Sequence, residues 1–296
     1  MTIQRNRVII LVVKNKNTTE RGRYLKTNQF SFMIIIITIG GEFMINTTYL
    51  YYFSPTGGTK KVGELFSNGI SKNIKKINLG LRDAQIENPQ GDLTVIAVPV
   101  FGGRIPDFTT SQLKQINGKG KKAVTLVVYG NRAYEDALLE LNNVVKAQGF
   151  QILASAAFVA QHSMAPEVGK GRPDEQDKKE IIVFAKKVLS KIEANDETTV
   201  EVPGNYPYKE AKGMPVTPIS LKTCHLCGKC EKACPTGAII IKNQIVETDA
   251  DKCMLCMACT AVCPEHARIL PMPVQEKMEQ MLGTLKTVRN ENQFFI

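Results

Sequence analysis

Thr48-Tyr49-Leu50-Tyr51-Tyr52-Phe53-Ser54-Pro55-Thr56-Gly57-Gly58-Thr59-Lys60 reads as a strand, a loop rich in hydroxyls and glycine, and the first turn of a helix. The strand is aromatic and aliphatic with little alternation, as expected when neighbours cover both faces of a parallel sheet. Ser54, Thr56 and Thr59 supply hydroxyls, while Gly57 and Gly58 leave backbone N–H groups accessible at a helix N-terminus. That chemistry suits a phosphate dianion. The loop has neither the GxxxxGK(S/T) pattern of a P-loop nor the GxGxxG dinucleotide fingerprint. Gly118 to Ala123 fits GxGxxA but precedes a strand instead of following one, so it is set aside.

Working outward, apolar runs at 93–100, 123–129 and 151–159 read as further buried strands, with 74–79 a weaker fifth. Residues 60–71, 109–116, 134–148 and 174–192 carry apolar side chains at helical spacing, Ala137, Leu138, Leu141, Val144 and Val145 among them. Such alternation predicts a doubly wound α/β parallel sheet over 44–195, whose ligands sit beyond the carboxyl ends of the strands. Two more loops fall at strand carboxyl ends, Pro99 to Pro106 and Tyr129 to Asp136. His162 and Ser163 follow the last strand, but a hydrolase reading fails: there is no GxSxG elbow and no third orienting group.

Pro203, Gly204, Pro207, Gly213, Pro215 and Pro218 are too many helix breakers for a packed element, so 196–216 reads as a linker. Beyond it lie all 8 cysteines of the chain. Cys224, Cys227, Cys230, Cys234 before Pro235 and Cys253, Cys256, Cys259, Cys263 before Pro264 are two copies of CxxCxxCxxxCP. Three cysteines at this spacing wrap one corner of a cubane iron-sulfur cluster, and the fourth thiolate comes from elsewhere. Zinc would leave the third cysteine of each run surplus, and a secreted disulfide scaffold does not confine its cysteines to one end. Between the runs, Thr236 to Ile241 and Gln244 to Glu247 form a hairpin across Lys242-Asn243. The predicted module, 217–273, is too small to bury a core alone, so its folding should depend on metal. His225 and His266 lie within it as surface or outer residues, because sulfur already supplies every corner.

Residues 217–273 resemble bacterial-type two-cluster ferredoxins, in which the last cysteine of each run ligates the other cluster. The resemblance implies one cluster on Cys224, Cys227, Cys230 and Cys263, and another on Cys253, Cys256, Cys259 and Cys234. Ser54 to Thr59 is similar to the FMN phosphate loop of flavodoxins, S/T-x-T-G-x-T, at every defined position. Together, residues 45 to 273 resemble the EFR1-family ferrodoxins, fusions of a flavodoxin-like domain to a small α+β ferredoxin-like two-cluster domain. This implies FMN, with Ser54, Thr56, Gly57, Gly58 and Thr59 on its phosphate and backbone from Gly102, Gly103, Gly130 and Asn131 along its ring. Phe101 and Tyr134 are the candidates for contact with the ring faces, ordinary core or surface aromatics being the other reading. The chain has no tryptophan, which flavodoxins of this size usually offer there. Arg104 and Arg132 either bring positive charge to the ring or are solvated.

Val8 to Val13 and Phe30 to Ile39 are apolar but far shorter than the ~20 residues that span a bilayer, and no small-residue cleavage site follows them. Gly40-Gly41-Glu42 just before Met44 is what a purine-rich ribosome-binding site yields when translated. The sequence therefore predicts Met44 as the start, with 1–43 a non-native extension that is poorly ordered or loosely docked. Its seven basic residues (Arg5, Arg7, Lys14, Lys16, Arg21, Arg23, Lys26) and two acidic ones (Glu20, Glu42) supply +5 of the formal +10. Clusters and a flavin phosphate would offset the rest, which removes the main support for nucleic-acid binding. The tail 274–296 has Val274, Met278, Met281, Leu282 and Leu285 at helical spacing and reads as a helix packed on a domain. The expectation is a cytoplasmic, anaerobic electron carrier with redox partner proteins and neither membrane nor nucleic acid as partner; the sequence sets no oligomeric state. The alternatives are an FMN-dependent reductase of a small acceptor and a 4Fe-4S protein whose flavodoxin-like domain is empty.

Overall fold

The computed structural model describes residues 7–15, 31–39, 43–82, 85–211 and 213–296. Strands β1 (Arg7–Asn15) and β2 (Ser31–Ile39) pair antiparallel within a unit spanning Met1–Met44, and Ile45–Ile296 form a second unit. Most of the expectation about residues 1–43 falls outside the described residues. The two stretches that are described are strands, in keeping with their runs of Val and Ile.

In the second unit, β3 (Ile45–Tyr52), β4 (Ser71–Asn78), β5 (Leu93–Pro99), β6 (Lys122–Tyr129) and β7 (Gln151–Val159) form a parallel sheet in the order β4-β3-β5-β6-β7. This is the 2-1-3-4-5 order of a flavodoxin-like doubly wound sheet, with its switch point between β3 and β5. Every residue of β5 is buried, and only the first residue of β6 and of β7 is not. Each fully covered Leu, Ile or Val there contributes about 1.5–3 kcal/mol. The fifth strand was weaker in sequence because β4 is an edge: Lys72, Lys75 and Lys76 face out of it and blunt strand addition. Helices α1 (Gly58–Asn68), α2 (Asp107–Leu113), α3 (Ala137–Ala147) and α4 (Glu175–Glu193) accompany the sheet. Asp174 and Asp177 start α4 with a reciprocal capping box.

Residues 196–211 and 213–216 are irregular, as their prolines dictate, but they do not hang free. Asp136 at the head of α3 accepts from the backbone N–H of Asn205 (2.8 Å) and Lys209 (2.7 Å), and Arg104 lies 4.7 Å over the Tyr208 ring. At these points the segment is strapped to the sheet domain.

The cysteine module contains β8 (Ile219–Ser220), α5 (Lys229–Ala233), β9 (Ile239–Lys242), β10 (Ile245–Thr248), α6 (Ala258–Ala261) and β11 (Arg268–Ile269). β9 pairs with β10 and β8 with β11, all antiparallel. The hairpin turn, Asn243 and Gln244, has positive φ at both residues, the type I′ geometry that matches strand twist. An offset of 29 residues, Cys224 to Cys253, relates the two halves. It also relates their left-handed backbone positions: Leu226 and Leu255, Gly228 and Met257, Gly237 and His266.

The tail departs from the all-helical expectation. After α7 (Met272–Leu282) and a 3-10 turn (Gly283–Thr287), β12 (Gln293–Phe295) joins the sheet antiparallel to β7 and covers its edge. Phe294 packs on Phe158 and Phe184, with ring centroids 5.7 and 5.2 Å away. A buried ion pair fastens the approach: Arg172 Nε donates to Asp177 at 2.9 Å, Asn292 Nδ2 donates to the same carboxylate at 2.9 Å, and Arg289 reaches Asp174 at 2.6 Å.

Candidate functional site

The two cysteine runs converge on two recesses. One, with about 270 Å³ of atom-free space, is lined by Cys224, Cys227, Cys230 and Cys263 together with Ile241, Val246 and Arg268. The other, about 330 Å³, is lined by Cys234, Cys253, Cys256 and Cys259 together with Met254 and Ile239. Each recess thus takes three cysteines from one run and the closing cysteine from the opposite run. Left-handed residues reverse the chain within each run, at Leu226 and Gly228 and again at Leu255 and Met257, and curl it around its recess. The proline that follows each run gives way to a turn at Gly237 or His266, which brings a backbone N–H back to the last sulfur. Ala238 N–H donates to Cys234 Sγ at 3.2 Å and Ala267 N–H to Cys263 Sγ at 3.3 Å.

Burial pushes the thiols of Cys230, Cys253 and Cys259 above their ordinary value and that of Cys256 up to about 12. Protein surroundings alone therefore do not hold these sulfurs as thiolates. A coordinated cation does, since ligation deprotonates the thiol outright. Four cysteines lining each recess, a backbone donor to the closing sulfur and apolar neighbours are a donor set whose chemistry fits a 4Fe-4S cluster in each.

The comparisons agree with this chemistry. Residues 218–277 match the family described as the 4Fe-4S dicluster domain. No curated protein matches this chain. Among solved structures, the chain is similar to a flavodoxin from Streptococcus pneumonia TIGR4 at 14% identity, over 49% of this chain and 99% of that one, with a TM-score of 0.37. It is similar to oxidised Flavodoxin 1 from Bacillus cereus at 15% identity, over 49% and 98%, TM-score 0.37. A Fusobacterium nucleatum flavodoxin bound to flavin mononucleotide is 12% identical, over 51% and 99%, TM-score 0.35. The fold of the sheet domain rests on its strand order and not on these likenesses. The dicluster domain does not stand apart from that sheet: Met254 and Cys256 pack against the same apolar core as Val100 and Phe101, and Arg82 after β4 donates to Glu231 O at 3.1 Å.

At the sheet's carboxyl edge, Ser54 Oγ accepts from Lys60 N–H at 2.9 Å, and Gly57 O accepts from Lys61 N–H. The N–H groups of Gly58 and Thr59, first in α1, have no intrahelical acceptor and open into the loop. Gly57 is left-handed (φ +94°) with open space where a Cβ would stand, and Thr56 is exposed, whereas a Cβ on Gly58 would lie 3.1 Å from Ala160. Across the switch point, Gly102 (φ +60°) also faces open space, in a tight turn closed by Phe101 and Arg104. Gly103 is different: a Cβ there would strike Glu135.

The loop after β6 is occupied by the protein itself. Asn131 is fully buried; its Nδ2 donates to Val288 O at 2.7 Å and its Oδ1 accepts from Asn290 N–H at 3.1 Å. Tyr134 is buried, its ring tilted 58° to that of Tyr129 at 5.5 Å and its hydroxyl on Gln293, so it serves as a core residue. Phe101, half-buried, is the remaining aromatic candidate. Gly130 makes room for His162, whose ring a Cβ would meet at 2.4 Å. His162 Nδ1 accepts from Met164 and Ala165 N–H groups, and burial, then Arg132, push its pKa to about 4. Its role is to hold a loop. Arg104 is fixed on Glu140 and Arg132 on Glu135, so neither is a free positive charge at this edge.

Sequence reading named the cysteines and the phosphate-type loop but missed Ala238, Ala267 and Arg268. The 29-residue offset was the available signal, because it marks the same place after each Cys-Pro.

Proposed function

We propose that this chain is a cytoplasmic electron carrier of the EFR1-family ferrodoxin kind, passing electrons between FMN and two 4Fe-4S clusters and on to redox partner proteins. The observation that carries the reading is the asymmetry of the two recesses. In the quartet of Cys234, Cys253, Cys256 and Cys259, Cys256 packs with Met254 on the apolar core of the sheet domain, whereas the other quartet includes Cys227, which is exposed. One quartet thus touches the core of the sheet domain through Cys256, and the other reaches the surface at Cys227.

FMN supplies exchange of electron pairs, and the clusters supply single-electron exchange. Ser54, Thr56, Gly57, Gly58 and Thr59 would hold its phosphate against the N-terminus of α1, with no lysine required in the loop. Backbone at Gly102 and Gly103 would line the ring, with Phe101 beside it. Cys224, Cys227, Cys230 and Cys263 would ligate one cluster, and Cys253, Cys256, Cys259 and Cys234 the other. Among the described residues no helix is long and apolar enough to cross a membrane.

Anaerobic reconstitution followed by quantification of iron, sulfide and flavin tests this. Two clusters and one FMN per chain are expected; a protein that takes up no iron overturns the reading. A protein with both clusters and no flavin absorbance supports the second reading, a flavodoxin-like domain without flavin. That reading is favoured by the tail's hold on Asn131 and Tyr134, two of the residues expected at the ring.

A further inference from the structure

Within the two-fold pattern of the cysteine module, one buried position breaks the symmetry chemically. Ile239 follows Cys234 by the same five positions that separate Arg268 from Cys263, and both side chains are buried, at 3% exposure each. An isoleucine there costs nothing. A guanidinium removed from water is costly unless charge compensates it. Among the described residues Arg268 pairs with no carboxylate: Nη1 donates to Ser220 Oγ at 3.1 Å and Nη2 to Thr248 Oγ1 at 2.9 Å. Its Nε is buried and has no acceptor in the protein.

The placement supplies the compensation. Arg268 lines the recess of Cys224, Cys227, Cys230 and Cys263. Thr248, to which its Nη2 donates, lines the recess of Cys234, Cys253, Cys256 and Cys259. Pairing of β11 with β8 sets Arg268 opposite Ser220, and Thr248 closes β10, so the two hydroxyls clamp the guanidinium between the halves. Two anionic iron-sulfur groups are what a lone cation in this position would face.

We propose that Arg268 is an electrostatic positioning residue shared by both cysteine quartets, with its unpaired Nε–H directed at the sulfur-rich groups they hold, raising the reduction potential of each. The proposal rests on the two-cluster reading. A fixed positive charge favours the state with one electron more, and a donor to sulfur acts in the same direction. The apolar Ile239 at the equivalent place in the other half means that one cation serves both.

The test is EPR-monitored anaerobic redox titration of the full reconstituted chain against Arg268→Gln and Arg268→Lys, with iron and sulfide counted in each. Arg268→Gln is expected to lower the reduction equilibrium of both clusters by about tenfold, which is 59 mV for a one-electron couple. Arg268→Lys, which keeps charge but loses the planar fork, should fall between the two. If Arg268→Gln fails to assemble, Arg268→Lys carries the comparison, with a drop in potential still expected from the lost Nε donor. Unchanged potentials in a variant that holds both clusters overturn the role of Arg268 and leave the two-cluster reading intact. Absence of iron from the wild-type protein overturns the two-cluster reading itself.

Discussion

Lowering the pH through the titration of His162 should loosen the sheet domain by a calculable amount. In the folded chain the imidazole is pushed from 6.5 to about 4, because its ring is packed against Gly130, Arg132 repels the charged form, and Nδ1 accepts from two backbone N–H groups. A base with a depressed folded pKa binds its proton more readily when unfolded, so its contribution is complete above pH 6.5 and is lost as pH falls toward 4. At 1.36 kcal/mol per pH unit, the gap between 6.5 and about 4 sets an upper value of about 3 kcal/mol. His162→Asn keeps an acceptor near the Nδ1 position and does not titrate. Urea unfolding of the holoprotein and of this variant at a series of pH values between 7.5 and 4 isolates the term, since acid effects on the cysteine module are common to both. The wild type should lose up to about 3 kcal/mol more than the variant across that window. Parallel pH curves for the two proteins would show that the imidazole is solvated and that the packing argument is wrong.

Asp177→Asn leaves Arg172 buried without its carboxylate and should cost about 3–5 kcal/mol in urea unfolding, with faster proteolysis of the tail after Thr287; a loss under about 1 kcal/mol contradicts the buried-pair account. Cys263→Ala should abolish the EPR signal of the cluster on Cys224, Cys227 and Cys230 while sparing the other, and Cys234→Ala should do the reverse. Loss of the cluster on the mutated run itself would mean that the closing cysteines are not exchanged between halves. Gly57→Val places a β-branched side chain at φ +94° in the phosphate-type loop and should weaken FMN uptake at least tenfold by flavin fluorescence, with iron content unchanged. Gln244→Gly relieves one of two positive-φ turn residues and should raise the stability of the cluster module by about 0.5–1 kcal/mol in thermal unfolding of the reconstituted protein.

Much of this architecture was legible because its determinants are local. β5, β6 and β7 are covered on both faces, and such strands must be continuous apolar runs whatever else the chain does. The cysteine spacing was legible because coordination chemistry fixes it. What stayed hidden depends on contacts distant in sequence. Gln293-Phe294-Phe295 is too short and too mixed to read as a strand until β7 offers an edge. The segment 196–216 reads as a linker from its prolines, and only the structure shows that Asp136, at the head of α3, accepts from its backbone. Tyr134 and Asn131 have the composition of ring contacts, and only the return of the tail shows them to be engaged. The left-handed Leu226, Leu255 and Met257 were invisible because none is a glycine, the residue by which such positions are usually recognised.

The chain leaves the sheet domain after α4, builds the cysteine module, and then returns to add a strand to the same sheet. Both connections end on one loop: the strap grips Asp136, and the tail grips Asn131 and Tyr134. A module held at one end by a flexible tether samples a volume set by the tether's length, and electron exchange with the sheet's ligand edge would then depend on chance approach. Here the ordering entropy of the approach is paid when the chain folds, and Cys256 packs on the apolar core of the sheet domain. If the chain carries electrons as proposed, the Arg172–Asp177 pair and the β7–β12 edge matter to that transfer as the thiols do, because they fasten the returning tail to the sheet.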